Sequence, residues 1–419
     1  MAAQFFSSLA DNALLIAAIA LLLELSAPDW IPPLLKLFFV VSYVVLAPFV
    51  GGFADAFPKG RVMLVTNAIK VIGCIMMFLG VHPLISYAVV GLGAAAYSPA
   101  KYGILTELLP HERLVAANGW IEGLTVLSII LGTMLGGFLI TPHTTEFLLS
   151  LPITGLTGAM NTPAEAAIYV ITLGYLIAAV FNLRIPDTGA RYEKQLNHPV
   201  KMTQHFMGCV RELWVDKLGQ ISLAVTTLFW GAGAALQFIV LDWAKSSLGL
   251  PLDQAAILQG VCAFGVAGGA TIAARCIPLK KSMTVLPMGI MMGFVCITMV
   301  WVSNIHVAHV LIILIGALSG FFVVPMNALL QHRGHVLMSA GRSIAIQNFN
   351  ENISVLFMLA IYSVLVWQDV AVNTVILLFG GFIMLIMALI ILRHRHTQRL
   401  YNVEAKIGED RPVGVAPAR

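Results

Sequence analysis

Three carboxylates stand inside long apolar stretches: Asp11 in SSLADNALL, Glu122 four residues after Asn118, and Glu351 in QNFNENIS. An anion at the centre of a hydrocarbon layer costs at least ~2.5–3.5 kcal/mol, so each must be held by protein or water, and such groups mark substrate or ion paths. Asp11 has Asn12 beside it and Ser7 and Ser8 one turn earlier, a polar stripe whose plainer alternative is a hydrogen bond fastening helices together. Gln347, Asn348 and Glu351 share a helix face by three-and-four spacing, and Asn352 extends it. So dense a set of amides around an acid suits cargo better than glue. Glu122 lies near the polar end of its helix, where pairing with Lys101 or Arg113 is the competing reading.

Further polar residues fall in apolar surroundings. Gln237 is a neutral polar group in FWGAGAALQFIVLDW, where Gly231 and Gly233 permit close helix approach. Asp242 is expected to be solvated at the interface, and Lys36 to snorkel from a helix end. Lys70 is too deep for that and is read as a partner for an acid. Lys101 follows Pro99 in YSPAKYGI, where a phosphate contact and an anchor at a basic membrane face suit it equally. The connector GGFADAFPKGRV sets Gly51, Asp55, Lys59, Gly60 and Arg61 together. Its glycines let helices approach, and its charges can latch neighbouring helix ends as a gate.

The elements that carry these residues follow from composition. Of 419 residues, 59% are hydrophobic and 11% charged, against roughly 25% charged in soluble domains. A water-soluble fold is excluded; the solvent is lipid. Apolar stretches able to cross a ~30 Å hydrocarbon core lie near 2–25, 31–53, 61–80, 84–107, 115–141, 165–183, 218–244, 252–276, 284–303, 306–330, 343–367 and 372–393. The first is long enough to remain as a span rather than be cleaved as a signal. Basic residues such as Lys59, Arg61, Arg113, Arg184, Arg191, Lys194, Lys201, Lys280 and Arg333 collect in alternate connectors and in the tail, while the opposite connectors hold only Lys245. The positive-inside rule then places both termini in the cytoplasm, and Trp30, Trp243, Trp301 and Trp367 fall at the opposite helix ends as interfacial belt residues. The long outer connector 142–164 is expected to be a loop on the membrane surface.

A net charge of +4 is too small and dispersed for nucleic acid. Five cysteines without a C-x-x-C pair give no disulfide framework and no metal site, and no cofactor is expected. Neither H-E-x-x-H nor G-x-S-x-G occurs, and no histidine has an acid five residues later, so a membrane-embedded acyltransferase or other enzyme is disfavoured.

The one long polar stretch, 184–217, divides the spans six and six. The expected organisation is an N-terminal six-helix bundle over 1–183, a cytoplasmic linker over 184–217, a C-terminal six-helix bundle over 218–393 and a cytoplasmic tail over 394–419. An all-α protein of twelve transmembrane helices in two pseudo-symmetric bundles is the major facilitator arrangement, with cargo bound near the midplane. A faint repeat agrees: Gln347 and Glu351 stand at one common offset from Asn118 and Glu122, and Pro325 answers Pro99.

The connector 47–62 is similar to the signature between the second and third helices of that superfamily; its second-half counterpart, ARCIPLKKSM, keeps only positive charge. DNALL at 11–15, GLGAAAYSPAKYGILTEL at 91–108, LFWGAG at 228–233, GFFVVPMNALLQ at 320–331 and QNFNEN at 347–352 together resemble the bacterial lysophospholipid transporter family, over nearly the whole chain. The resemblance implies a flippase-like carrier of the inner membrane. Its cargo would be lysophosphatidylethanolamine and lysophosphatidylglycerol, moved from the outer to the inner leaflet for re-acylation by a separate cytoplasmic acyltransferase. It carries the family's functional acids onto Asp11 and Glu351, which are expected to clamp a headgroup ammonium as the halves rock. Relatives have a basic residue where this chain has Gln237, so phosphate contact falls to Lys70, Lys101 or helix N-termini. The competing reading on the same fold is a cation-coupled exporter of amphipathic drugs, with the buried acids carrying protons or drug cations.

Overall fold

Several helices begin at a proline or at a small polar cap. Pro83, Pro142 and Pro163 each open a helix at a position where a missing N–H costs nothing. Thr162 and Asn304 accept from the backbone N–H of Glu165 and His306, at 3.2 and 2.8 Å. The computed structural model describes residues 1–27, 31–150, 154–155, 158–159, 162–190, 192, 198–250 and 252–408. Trp30, Arg191, Lys194 and the end of the tail lie outside the described residues.

Among the described residues the α-helices are α1 (Ala2–Glu24), α2 (Pro32–Ala56), α3 (Lys59–Phe78), α4 (Pro83–Leu108), α5 (Leu114–Leu139), α6 (Pro142–Ser150), α7 (Pro163–Leu183), α8 (Pro199–Val215), α9 (Gly219–Leu248), α10 (Leu252–Cys276), α11 (Leu286–Thr298), α12 (Ile305–Leu337), α13 (Ala340–Trp367) and α14 (Val372–Tyr401). A helix lies on every stretch that the sequence marks as apolar, and 10 of them are long and apolar enough to cross a membrane. α4 and α10 are not among those; α4 is diluted by Gly91, Gly93, Ser98, Pro99 and Lys101.

Two helices were not expected. The connector 142–164 is not simply a loop: α6 forms there, because Pro142 fixes the first helical φ and the Thr141 hydroxyl bonds that of Thr144 at 3.0 Å. Beyond it, Thr154–Gly155 (β1) and Gly158–Ala159 (β2) pair antiparallel, with Thr154 opposite Ala159. The linker, in turn, contains α8, with Phe206, Cys209, Val210 and Leu213 buried on one face.

The distribution of side chains inverts that of a soluble protein. Large apolar residues such as Val45, Phe264, Phe294 and Leu385 are more than half exposed, while Lys70, Asn118, Gln331 and Glu351 are buried. Lipid as the surrounding solvent accounts for this pattern. Trp301 and Trp367 are exposed, as interfacial residues are. Trp243 is a correction: it is fully buried, packed inside its bundle rather than set at a helix rim.

The chain divides into two compact units. The first comprises Met1–Glu107, Leu127–His205 and Ala340–Ala345; the second comprises Leu108–Val126, Phe206–Ser339 and Ile346–Arg419. In the first, the alanines of α1 (Ala10, Ala13, Ala17 and Ala18) let it lie close to α7, against Ile168, Ile171 and Tyr175. In the second, α10 and α12 meet backbone to backbone at Gly265, Gly269, Gly316 and Gly320, where an added Cβ would strike the facing main chain. This is the small-residue packing by which helices associate in lipid.

Candidate functional site

In the first unit, the polar positions of α1, α3 and α7 converge. Lys70, on α3, is buried, and its Nζ donates to Asp11 Oδ1 and Oδ2 at 2.8 and 2.7 Å and to Ser7 Oγ at 3.0 Å. Tyr175, on α7, donates its hydroxyl to Asp11 Oδ1 at 2.7 Å, and Ser7 donates to Asn67 Oδ1 at 2.8 Å. The ammonium also lies 5.1 and 5.5 Å from the ring centres of Tyr97 and Tyr175, within cation–π range. Removing two full charges from water is costly unless they pair and saturate each other's hydrogen-bonding capacity, and this cluster does both. Lys70 is thus the partner of an acid, and that acid is Asp11. Asn12 turns its amide to the Ser8 carbonyl of its own helix, at 2.8 Å.

The second unit holds a cluster built mainly of amides. Asn118 on α5 and Gln331 on α12 exchange two hydrogen bonds of 2.9 and 2.8 Å. One turn along, Asn327 donates to Glu122 Oε1 at 3.3 Å and accepts from Gln347 Nε2 at 3.0 Å, while Gln347 Nε2 also reaches Glu351 Oε1 at 2.8 Å. Every member is at least nine-tenths buried. Glu122 therefore has an amide partner in Asn327. The two four-residue pairs noticed in the sequence are joined through Asn327, while Gln331 holds Asn118; sequence reasoning missed both. The available signal was a third pair of polar residues four apart, inside the apolar α12. Asn348 is buried on the same helix as Glu351; Asn352 bonds the Asn348 carbonyl at 2.8 Å.

Other expected residues stand apart from these clusters. Gln237 donates to Gln259 Oε1 at 3.0 Å, and its carbonyl accepts from Gln259 Nε2 at 2.9 Å. Lys101 is half-buried, 4.1 Å from the Tyr102 ring centre. Asp242, which is exposed, accepts the hydroxyl of Tyr362, and Lys36 is exposed.

The connector charges form a third group, in the first unit. Asp55 Oδ1 accepts from Lys59 Nζ at 2.8 Å and from the Gly341 backbone N–H at 2.9 Å, in the first turn of α13, where a carboxylate meets the positive end of the helix. Gly51 lies flush with that turn: a Cβ there would come within 2.9 Å of the Arg342 Cα. Gly60 is as tightly fitted against Ile185 and Asn182, whereas Arg61 is exposed. Lys59 also reaches Glu107 at 3.1 Å, which in turn accepts the hydroxyls of Thr188 and Tyr192 at 2.6 and 3.0 Å. Burial, with Glu107 and Asp55 close by, holds the Tyr192 phenol well above its ordinary range. Glu107, at the end of α4, and Thr188 and Tyr192, in the linker, had no sequence signal, because a polar residue at a helix end or in a connector is unremarkable until its partners are known.

The second unit has its own charged helix start. Asp216 accepts from the Gly219 and Leu218 amides at 2.8 and 3.2 Å and from Arg333 Nε and Nη2 at 2.9 and 2.8 Å. Burial alone would raise the Asp216 carboxyl; the hydrogen bonds of Arg333 and of the Gly219 and Leu218 amides, together with the guanidinium charge, override it and leave the group below its ordinary value.

Solved structures share this helical arrangement at low sequence identity. A bacterial homologue of the iron transporter ferroportin matches with a TM-score of 0.68 and 14% identity, over 94% of this chain and 98% of that one. The fucose:proton symporter of E. coli matches with 0.70 and 12%, over 94% and 97%. The profile described as Major Facilitator Superfamily matches residues 1–358. Proteins of Yersinia pestis (strain Pestoides F) and Yersinia pseudotuberculosis serotype O:3 (strain YPIII), each named lysophospholipid transporter LplT, are 43% identical over 368 residues, which is 87% of this chain and 86% of theirs. The chain is a multi-pass membrane protein that belongs to the major facilitator superfamily and, within it, to the family of these Yersinia transporters.

Proposed function

We propose that this protein carries lysophospholipids, lysophosphatidylethanolamine first and lysophosphatidylglycerol with it, from the outer to the inner leaflet of the bacterial inner membrane. There a cytoplasmic acyltransferase re-acylates them. In this reading twelve helices span the membrane, six in 1–183 and six in 218–393, with the linker 184–217, the tail 394–419 and both termini in the cytoplasm. The chain acts as a carrier rather than an enzyme, by the alternating access that goes with its fold.

The observation that carries this reading is the 43% identity, over 87% of the chain, to relatives named for this cargo. The chemistry agrees with it. A lysolipid presents one acyl chain worth about 0.8 kcal/mol per buried methylene, which apolar helix faces accept, and a charged headgroup that needs polar partners at depth. In the first half Asp11 supplies an anion, with Asn12 and Lys101 as further contacts. In the second half Glu351 does so, with Asn348, Asn352, Gln237 and Glu122. Gly51, Asp55, Lys59, Gly60 and Arg61 serve the gate, through the charge held on the first turn of α13.

The test is translocation of labelled lysophosphatidylethanolamine in proteoliposomes. Wild-type protein should move it inward, and Asp11→Ala or Glu351→Ala protein, inserted normally, should not. Wild-type rates in both variants would sink the assignment of these acids. Absence of lysolipid movement by the wild type, with resistance to amphipathic cations instead, would sink the cargo.

A further inference from the structure

We infer that the Asp11–Lys70 pair is an exchange site for a headgroup bearing both a phosphate and an ammonium: the phosphate takes Lys70, and the released Asp11 takes the ammonium. The inference rests on the lysophospholipid reading and deepens it by naming the headgroup class and the residues that read it.

Two buried donors carry the argument. Asn67 is completely buried and Tyr97 is 5% exposed, yet Asn67 Nδ2 and Tyr97 Oη have no hydrogen-bond partner among the described residues. A buried donor without a partner is costly, so a native structure that keeps two of them in one cluster calls for an explanation. Both belong to the cluster around Lys70. The Tyr97 ring is 5.1 Å from Nζ, and Asn67 is linked to Nζ through Ser7, whose Oγ is 3.0 Å from it. Two surplus donors beside a cation describe a place for an oxygen-rich anion, and a phosphate offers enough acceptors to satisfy all three groups.

The ion pair explains how such a site stays closed when empty. Lys70 is 1% exposed at its side chain, whereas Asp11 is 19% exposed. The carboxylate is therefore the more accessible partner and the one positioned to move. If Asp11 simply left, a lone ammonium would remain in a low-dielectric interior, at prohibitive cost. A zwitterion avoids this, since one ion pair plus a zwitterion becomes two ion pairs and no charge is stranded. A phosphate headgroup without an amine leaves Asp11 unmatched and should bind more weakly.

Tyr97→Phe is the decisive variant, because the hydroxyl it removes has no hydrogen-bond partner among the described residues. Binding of radiolabelled lysophosphatidylethanolamine to purified protein should weaken about tenfold, the scale of one hydrogen bond to a charged group. The Tm should not fall, and the binding of phosphate-free monoacylglycerol should not change. Asp11→Asn should, in addition, narrow the preference for lysophosphatidylethanolamine over lysophosphatidylglycerol. Unchanged lysophosphatidylethanolamine affinity in Tyr97→Phe, or an unchanged preference in Asp11→Asn, overturns the exchange while leaving the cargo assignment standing. Failure of the wild type to bind any lysophospholipid overturns both.

Discussion

The two units bury polar groups in opposite styles. In the first, a full ion pair is closed by hydroxyls and aromatic faces: Lys70 against Asp11, with Ser7 and Tyr175 completing it. In the second, neutral amides do most of the bonding, Asn118 with Gln331 and Asn327 with Gln347, and the acids Glu122 and Glu351 hang on the ends of the chain. An ion pair in low dielectric resists the loss of either member, because the survivor is an uncompensated charge. An amide chain loses only a hydrogen bond at each break. The first cluster is therefore a rigid element that opens only by exchanging partners, and the second can rearrange in small steps.

Removing one member of the ion pair should have the largest effect. Lys70→Met leaves the half-buried Asp11 without its countercharge, with only the Tyr175 hydroxyl still bonded to it, and should cost about 3–5 kcal/mol, read as a large drop in Tm in detergent. Breaking the amide chain should cost less. Asn327→Leu takes one hydrogen bond from the Gln347 amide, which keeps its bond to Glu351, and one from Glu122, for about 1–3 kcal/mol, and a drop as large as that of Lys70→Met would erase the distinction between the clusters. Asp55→Ala takes the carboxylate from the first turn of α13 and from Lys59, which keeps its pairing with Glu107, and should cost about 1–2 kcal/mol. Its transport defect should exceed what that loss of stability explains, which parallel Tm and flux measurements will separate.

The smallest effect concerns pH. Asp216 has its carboxyl held below the ordinary 3.8, so its contribution to stability is fully present above that value and is lost as pH falls through the lowered folded one. The Tm gap between wild type and Asp216→Asn should be constant at pH 5–7 and close only below the ordinary carboxylate range. A gap that closes near pH 6 would contradict the Arg333 pairing.

How much of this was legible in the sequence depended on the range over which each feature is encoded. Helix positions were legible, since about twenty apolar residues in a row is a local property. So was the need of Lys70 for an acid, and the shared face of Gln347 and Glu351, four residues apart. What the sequence hid is long-range. Tyr175 bonds Asp11 from another helix, and nothing local marks it among the tyrosines of apolar segments. Asn327 looks like one more amide until α12 is seen to lie between Glu122 and Gln347. Trp243 misled for a related reason: an indole near a helix end reads as an interfacial anchor, and only packing shows that this end is enclosed. The connector 142–164 hid α6 because nine residues are too few for a clear period.

The account turns on the intramembrane ion pair being part of the transport path rather than a structural staple, and the double variant Asp11→Asn/Lys70→Gln tests this directly. It removes both charges together and keeps hydrogen-bonding side chains of similar size, so the fold should survive with a Tm close to that of the wild type. Inward movement of lysophosphatidylethanolamine in proteoliposomes should then be abolished although the protein is intact. Wild-type flux through that variant would contradict the account.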